Sequence, residues 1–398
     1  MNEDVPLVFL VAGEPSGDVL GGRLMLALKQ ETFGAIRFAG VGGERMKAQG
    51  LQSLFPMEEL ALFGLAELLP KLPNLLRRMK ETEQAILEMK PAAVVTIDAP
   101  DFCFRVARRV KKANPDIPLI HYVAPTVWAW RPGRAAKIAK FLDHLLALLP
   151  FEPPYFEKVG LDCSFVGHPI VESGADAGDA DRFRTKHHLG SDTRVITILP
   201  GSRRSEVTKL LPDFKGALDI LAPRLPRVVA AVPTVPATKA LVEAAVKTWP
   251  LPTVVLEGDQ DKYDAFAASE AALAASGTVA LELALARLPA VIAYRIHSLT
   301  YRLYRGLIKV RFVNLVNIML NRMLVPELLQ EECRPSRLAE TLGRLLDDPA
   351  ARQEQIEGVA EVAAWLGQGD TPPSRRAAEV VMRVIHARER EAEQAGLT

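Results

Sequence analysis

The chain has 398 residues, 49% of them hydrophobic and 24% charged, a globular composition that excludes a disordered or fibrous polymer. Lysine plus arginine number 49 and aspartate plus glutamate 48, so the net charge is +1 and the clear basic excess of a dedicated nucleic-acid binder is missing. At roughly 150 residues per domain the length implies two or three domains.

The opening, MNEDVPLVFLVAG, is acidic ahead of a short apolar run and does not read as a secretory signal. Short apolar runs then alternate with longer amphipathic segments. Strands are expected at Leu7–Ala12, Arg37–Val41, Val94–Asp98, Leu119–Tyr122 and Leu145–Leu149, with helical patterns such as Leu75–Met89 and Phe104–Lys112 between them. Such alternation implies parallel strands joined by crossover helices. Around Glu172–Ser191 the pattern lapses, and ESGADAGDADRF reads as a linker without an apolar face. Alternation resumes with strands expected at Val195–Leu199, Val228–Val232, Thr253–Leu256, Ala271–Ala275 and Ala290–Ala293. From Ser336 the pattern is helical, broken at Thr371–Pro373. The architecture expected is α/β: two Rossmann-like, doubly wound domains facing across a cleft, residues 1–172 and 173–365. A helical tail, 366–398, then packs on the first domain or on a partner subunit. Cys103, Cys163 and Cys333 are too scattered for a disulfide framework or a zinc knuckle and fit a reducing cytosol. Uncharged apolar stretches such as Leu119–Trp130 are too short to span a bilayer.

Ligands bind doubly wound sheets beyond the carboxyl ends of the strands, so the strand-to-helix loops carry the functional signal. Ala12-Gly13-Glu14-Pro15-Ser16-Gly17-Asp18 lacks both the lysine of a phosphate loop and the glycine spacing of a dinucleotide site. Ser16 or Asp18 suits helix capping, whereas Glu14, placed before a proline, is a better candidate for chemistry. Gly40-Val41-Gly42-Gly43 has Arg45 where a dinucleotide fingerprint needs glycine, which rejects that site. In Thr96-Ile97-Asp98-Ala99-Pro100-Asp101, two carboxylates three residues apart either crowd one site, raising a pKa toward that of a general base, or cap a turn. His121 to Arg131 brings Trp128 and Trp130 to a strand end, as a binding surface or as core. Arg131, Arg134, Lys137 and Lys140 follow as a cationic stripe suited to phosphate or an anionic surface.

In the second half, Gly201-Ser202-Arg203 between a strand and a helix start suits a diphosphate. Ser276-Gly277-Thr278 repeats the theme. Glu282, one turn into the next helix, either clamps a ribose diol or simply answers the helix dipole. Asp179-Ala180-Asp181 and Asp259-Gln260-Asp261 read as solvated turns and His187-His188 as surface.

The motifs AGEPSGD, IDAPDF, HYVAPTVWAWRPGR, LLPFEPPYF, FVGHP, LPGSR, SGTVALE and LVPELLQEEC, in this order, make the chain resemble the lipid-A-disaccharide synthase family over nearly its full length. The resemblance implies a GT-B fold and transfer, with inversion, of 2,3-diacylglucosamine from its UDP conjugate to lipid X (2,3-diacylglucosamine 1-phosphate). The product is a β(1→6) disaccharide 1-phosphate plus UDP. It also implies no required metal and no cofactor, work on the cytoplasmic face of the inner membrane of Gram-negative-type bacteria, and a homodimer as one assembly. Carried over by position, Gly201, Ser202 and Arg203 match the diphosphate loop and Gly258 a backbone position near the uracil. Ser276, Gly277, Thr278 and Glu282 match the second nucleotide loop. Asn317, Gln330 and Glu331 match polar positions that approach the donor. Glu14, Ser16 and Asp98 match positions tied to catalysis, with Asp98 as the expected base. Pro15 departs from relatives that carry threonine there. The run Leu60–Pro70, followed by Arg77, Arg78 and Lys80, suits either an interfacial membrane contact or core packing. The rivals are a UDP-sugar 2-epimerase, a lipid-linked N-acetylglucosaminyl transferase, and a non-catalytic nucleotide-sugar-binding module.

Overall fold

A computed structural model describes residues 5–60, 65–295, 311–369 and 371–394, with 65–71 described by backbone alone. The chain divides into two compact units, Met1–Pro169 with Gly369–Thr398, and Ile170–Gln368.

The first unit holds a sheet of β1 (Leu7–Ala12), β2 (Arg37–Val41), β3 (Ala93–Ile97), β4 (Leu119–Tyr122), β5 (His144–Ala147) and β6 (Asp162–Phe165). Their order is β2-β1-β3-β4-β5-β6, and every pairing is parallel. The connecting helices are α1 (Pro15–Glu31), α2 (Glu44–Ala48), α3 (Leu65–Met89), α4 (Pro100–Ala113), α5 (Arg134–Ile138) and α6 (Pro153–Glu157). Strands such as LVFLVA and AVVTI are apolar almost throughout because helices cover both faces of the sheet. Alternate residues divide between those faces. Phe9 and Val11 pack with Val106 and Val110 of α4. Val8 and Leu10 pack with Leu24 and Leu28 of α1 and with Ala377, Val381 and Ile385 of the C-terminal helix Pro373–Gln394. Arg375 to Glu31 (2.7 Å) and Arg388 to Asp116 (2.8 Å) pin that helix to the first unit.

The second unit repeats the plan with β7 (Arg194–Leu199), β8 (Val228–Thr234), β9 (Thr253–Glu257), β10 (Ala271–Ala275), β11 (Ala290–Tyr294) and β12 (Glu327–Leu329). The order is β12-β11-β10-β7-β8-β9, again all parallel. Its helices include α7 (Ala180–Lys186), α8 (Arg204–Leu221), α9 (Lys239–Val246), α10 (Asp259–Ala268) and α11 (Val279–Leu285). Ile196 and Ile198 bury against Phe214 and Leu218 of α8 and Leu338 and Leu342 of the helix Pro335–Asp347.

Several expectations change. The edge strands β6 and β12 were not anticipated. β6 (DCSF) is polar at two of its four positions and β12 (ELL) spans only 3 residues, so neither presents an apolar run. The segment read as a linker contains α7. Asp179 caps it by accepting the Arg182 amide, and Phe183 is buried. Arg182 forks onto both oxygens of Asp264 in α10, so the segment is tied to the second unit. Asp259 and Asp261 lie in the first turn of α10 rather than in a loop. The stripe Arg131–Lys140 does not ride one helix, because α5 covers only Arg134–Ile138. Arg131 stacks on Trp130 at 4.2 Å and Arg134 on Phe104 at 5.2 Å. Lys137 and Lys140 instead face Arg108, Lys111 and Lys112 across a groove. The run Leu60–Pro70 lies largely outside the described residues. Of the cations after it, Arg78 is committed to Glu59 (2.6 Å) and Glu81 (2.7 Å).

Asp18 does not cap its own helix. Its buried carboxylate accepts the amides of Gly43 (2.8 Å), Arg45 (2.9 Å) and Met46 (3.1 Å) and so caps α2 from across the fold. Asp18→Ala strands these donors and is expected to lower stability by about 3 kcal/mol, read as a lower denaturant midpoint. Asp18→Asn, which keeps one acceptor oxygen, is expected to lose less.

Candidate functional site

In an open parallel sheet the ligand crevice opens where the strand order reverses direction. In the first unit that point lies between β1 and β3, and in the second between β7 and β10. The loops after these four strands contain Glu14 and Ser16, Asp98, Gly201–Arg203, and Ser276–Thr278.

In the first unit, Pro15 takes the first position of α1, where its missing N–H would have had no partner in the helix anyway. Glu14 is the extended residue before it, and its side chain makes no capping bond. Ser16 donates its hydroxyl to Asp98 Oδ2 at 3.0 Å, joining loops 82 residues apart. The approach is close enough that a Cβ on Gly13 would stand 2.7 Å from the Ala99 Cβ. Asp98 and Ala99 both have left-handed backbones, φ 53° and 41°, a strained pair for residues with side chains. The buried Cys103 thiol lies beneath. Burial raises its pKa, and the charges of Asp98 and Glu14 add to the rise. Asp101 does not crowd Asp98: its carboxylate is 94% exposed, with Arg134 at 4.0 Å.

The aromatic segment after β4 is anchored from below. Trp128 packs edge-on against Phe151 and donates its indole N–H to Glu152 at 3.1 Å. The Leu148 and Leu149 amides donate to the other oxygen of Glu152. Burial pushes the Glu152 carboxyl up to about 7 despite these three donors. His121 is buried, bonded to Thr96 at 2.8 Å, and held neutral by burial with a pKa of about 3. Trp130 donates to Thr126. The glycines of the rejected dinucleotide cluster serve packing, since a Cβ on Gly40 would collide with the Leu10 carbonyl.

In the second unit, seven of the expected residues line one cavity of ≈ 370 Å³: Gly201, Ser202, Gly258, Ser276, Gly277, Thr278 and Glu282. Gly201, Gly258 and Gly277 have φ of 111°, 92° and 156°, conformations that residues with side chains rarely adopt. The helices α8, α10 and α11 start around this cavity. Their first residues are preceded by Arg203, Gly258 and Thr278, none of which caps the helix with its side chain. Helix starts without a side-chain cap favour an anion. Arg203 stands at the rim, its side chain 79% exposed, with Glu206 at 3.4 Å. Glu282 is buried in the wall and paired with Lys262. Lys262 and Glu206 also line the cavity, and sequence reasoning missed both. The one available signal for Lys262 was its place one turn after Gly258.

Asn317 does not line the cavity. It is fully buried, its amide nitrogen donating to the Val325 carbonyl and to Glu327 and its oxygen accepting the Leu324 and Val325 amides. All its bonding capacity goes into holding the approach to β12. Gln330 and Glu331 begin a short turn directly after β12, outside the cavity wall but at the carboxyl edge of the same sheet. Among the described residues no group of three or more His, Cys, Asp or Glu side chains is arranged to hold a metal.

Two parallel Rossmann-like units place the chain in the GT-B class. Solved structures of that class align over most of its length. UDP-GlcNAc 2-epimerase from Neisseria meningitidis aligns with a TM-score of 0.63 at 10% identity, covering 96% of this chain and 100% of that one. MurG from Acinetobacter baumannii aligns with a TM-score of 0.57 at 14% identity, covering 95% and 99%. The sequence is more specific. The family described as Lipid-A-disaccharide synthetase matches residues 8–379. The Rhodospirillum centenum lipid-A-disaccharide synthase is 70% identical over 382 residues, 96% of this chain and 95% of that one. The Paramagnetospirillum magneticum enzyme of the same name is 49% identical, over 95% and 97%. The chain belongs to the lipid-A-disaccharide synthase family of glycosyltransferases.

The buried Glu152 makes a pH prediction. Its folded-state pKa of about 7 lies above the ordinary 4.5, so between these values the native state keeps a proton that the unfolded state releases. Stability therefore falls as pH rises through that window, by up to about 1.4 kcal/mol per unit from this group. Glu152→Gln is expected to flatten that part of the slope, read from denaturation curves of both proteins between pH 5 and 7, roughly the titration range.

Proposed function

We propose that the chain transfers 2,3-diacylglucosamine from UDP-2,3-diacylglucosamine to the 6-hydroxyl of lipid X, forming the β(1→6) disaccharide 1-phosphate and UDP. The hydroxyl oxygen bonds to the anomeric carbon, the bond from that carbon to the pyrophosphate breaks, and the electron pair leaves with UDP. The hydroxyl proton passes to Asp98. Attack opposite the leaving group inverts the anomeric centre. The observation that carries this reading is the cavity at the β7/β10 switch point, ringed by helix starts without side-chain caps and lined by the partly buried carboxylate of Glu282.

The residue roles follow from charge. A departing pyrophosphate needs positive potential, which the Gly201 and Ser202 backbone at the start of α8 and the guanidinium of Arg203 supply. Arg203 is exposed and only loosely paired, so it exchanges Glu206 for phosphate at small cost. Gly258 lets the backbone approach the uracil. Ser276, Gly277 and Thr278 complete the nucleotide wall, and Glu282 accepts the ribose diol. Gln330 and Glu331 reach the sugar, and Asn317 acts through the segment that carries them. Ser16 orients the Asp98 carboxylate by its hydrogen bond, while Glu14 keeps the spot anionic. A carboxylate so held suits proton acceptance.

Acyl-chain substrates call for a surface enzyme. We place the contact at the apolar run Leu60–Pro70 on its sequence pattern, on the cytoplasmic face of the inner membrane. Among the described residues no helix is long and apolar enough to cross a membrane. Leu65→Asp is expected to reduce co-flotation with anionic liposomes, and unchanged flotation would assign the run to the core.

Asp98→Asn is expected to lower transfer by about 10²–10⁴-fold, the usual weight of a general base, with the UDP dissociation constant unchanged. Turnover near that of the parent would remove Asp98 from the role. Arg203→Ala is expected to cut kcat/KM for the donor by about ten-fold or more while acceptor KM holds. The assay is UDP release on mixing the purified protein with UDP-diacylglucosamine and lipid X. Release only when both are present also separates transfer from epimerisation and from simple binding.

A further inference from the structure

The wall of the second-unit cavity contains a charged cluster whose cation has no part in the transfer as described. Lys262, in the first turn of α10, places Nζ 3.1 Å from Oε1 and 3.0 Å from Oε2 of Glu282, and 3.0 Å from Oδ1 of Asp259. The Lys262 and Glu282 side chains are 17% and 15% exposed. The Tyr263 ring lies 4.6 Å from the same ammonium.

An ammonium has three N–H donors and no acceptor. Here it donates a hydrogen bond to Glu282 Oε1, with Oε2 and Asp259 Oδ1 at ion-pair distance, so its charge is balanced without a phosphate. That geometry does not suit a phosphate clamp. It suits a device that holds a carboxylate in one plane. The Glu282 carboxylate offers about four lone-pair sites, so the ammonium and the Tyr263 hydroxyl that also bonds it leave acceptor capacity free. Two adjacent acceptors on a rigid carboxylate complement two adjacent hydroxyls.

We propose that Lys262 is a positioning residue that fixes Glu282 as a bidentate acceptor for the ribose diol and so sets a preference for ribonucleotides over deoxynucleotides. The inference rests on the reading of this cavity as the nucleotide site. Burial pushes the Glu282 carboxyl above its ordinary range, and the charge of Lys262 is the main force opposing that. Without the ammonium the buried carboxylate loses both its orientation and its principal counter-charge.

The test is calorimetric titration of UDP and 2′,3′-dideoxy-UDP into the full-length protein and into Lys262→Met and Lys262→Arg. Hydrogen bonds to a charged acceptor imply that the parent prefers UDP by about ten-fold or more. Lys262→Met is expected to lose that preference by weakening UDP alone, while dideoxy-UDP binds within about twofold of the parent. Lys262→Arg, which keeps the charge, is expected to retain most of the preference, and it carries the test if the methionine variant does not fold. A methionine variant that weakens both ligands equally, or that keeps the preference, overturns the positioning role, as does an arginine variant that loses the preference entirely. A parent that binds UDP without preferring it over the dideoxy compound also overturns it, with the nucleotide site intact. A parent that binds neither ligand overturns the nucleotide reading itself, and the positioning role with it.

Discussion

A parallel sheet brings the carboxyl ends of all its strands to one edge, and each connection must return through a crossover to start the next strand. Where successive connections turn to opposite sides, two neighbouring strands send their loops apart and leave a crevice. Each unit of this chain has one such place, between β1 and β3 and between β7 and β10. The Ser16–Asp98 hydrogen bond and the glycine-lined cavity lie at these places because the topology opens the sheet edge only there. The small residues follow from the same constraint. Gly13 has no room for a Cβ against Ala99, and Gly201 carries a backbone that a side chain would strain.

The two crevices differ in the groups they gather. The first joins Ser16 to Asp98, the serine hydroxyl donating to the carboxylate. The second gathers helix starts without side-chain caps, which favour negative charge, with the exposed Arg203 guanidinium beside them. The acidic residues of the second crevice do not cancel this. Glu282 and Asp259 are both paired with Lys262, and Glu206 lies beside Arg203. The Lys262–Glu282 pair is held in place before a ligand arrives, which lowers the cost of ordering it on binding.

Buried polar groups do the quieter work of fixing the loops. Asp18 caps a helix from another element, Glu152 ties Trp128 to the start of α6, and Asn317 closes the turn ahead of β12. None touches a crevice directly by the contacts described, yet each sets where a loop near one begins or ends. Substitution at such positions is felt first in stability, because a buried donor left without an acceptor is costly.

What could be read from residues alone was the repeating part. Ten of the strands follow from apolar runs, because a sheet covered on both faces must be apolar almost throughout. The loops at Gly13–Asp18, Asp98, Gly201–Arg203 and Ser276–Thr278 stand out because glycine and short polar residues punctuate a strand-to-helix turn. The ordered motifs were enough to indicate the family. The edge strands β6 and β12 and helix α7 escaped because half-polar DCSF, the three residues ELL and the mostly charged ADRFRTK show no apolar run or face. Spacing left open whether Asp98 and Asp101 crowd one site or cap a turn, but α4 turns Asp101 into solvent, and the residue that meets Asp98 is a serine from a distant loop. Likewise Lys262 and Glu282, 20 residues apart, become partners only when α10 and α11 start side by side at the sheet edge. The sequence by itself determined the layers, the order of the elements and the chemical types in the loops, because these depend on local pattern. Tertiary structure alone decided which loops share a crevice and which charge faces which, because those distances are set by strand order and helix packing between residues remote along the chain.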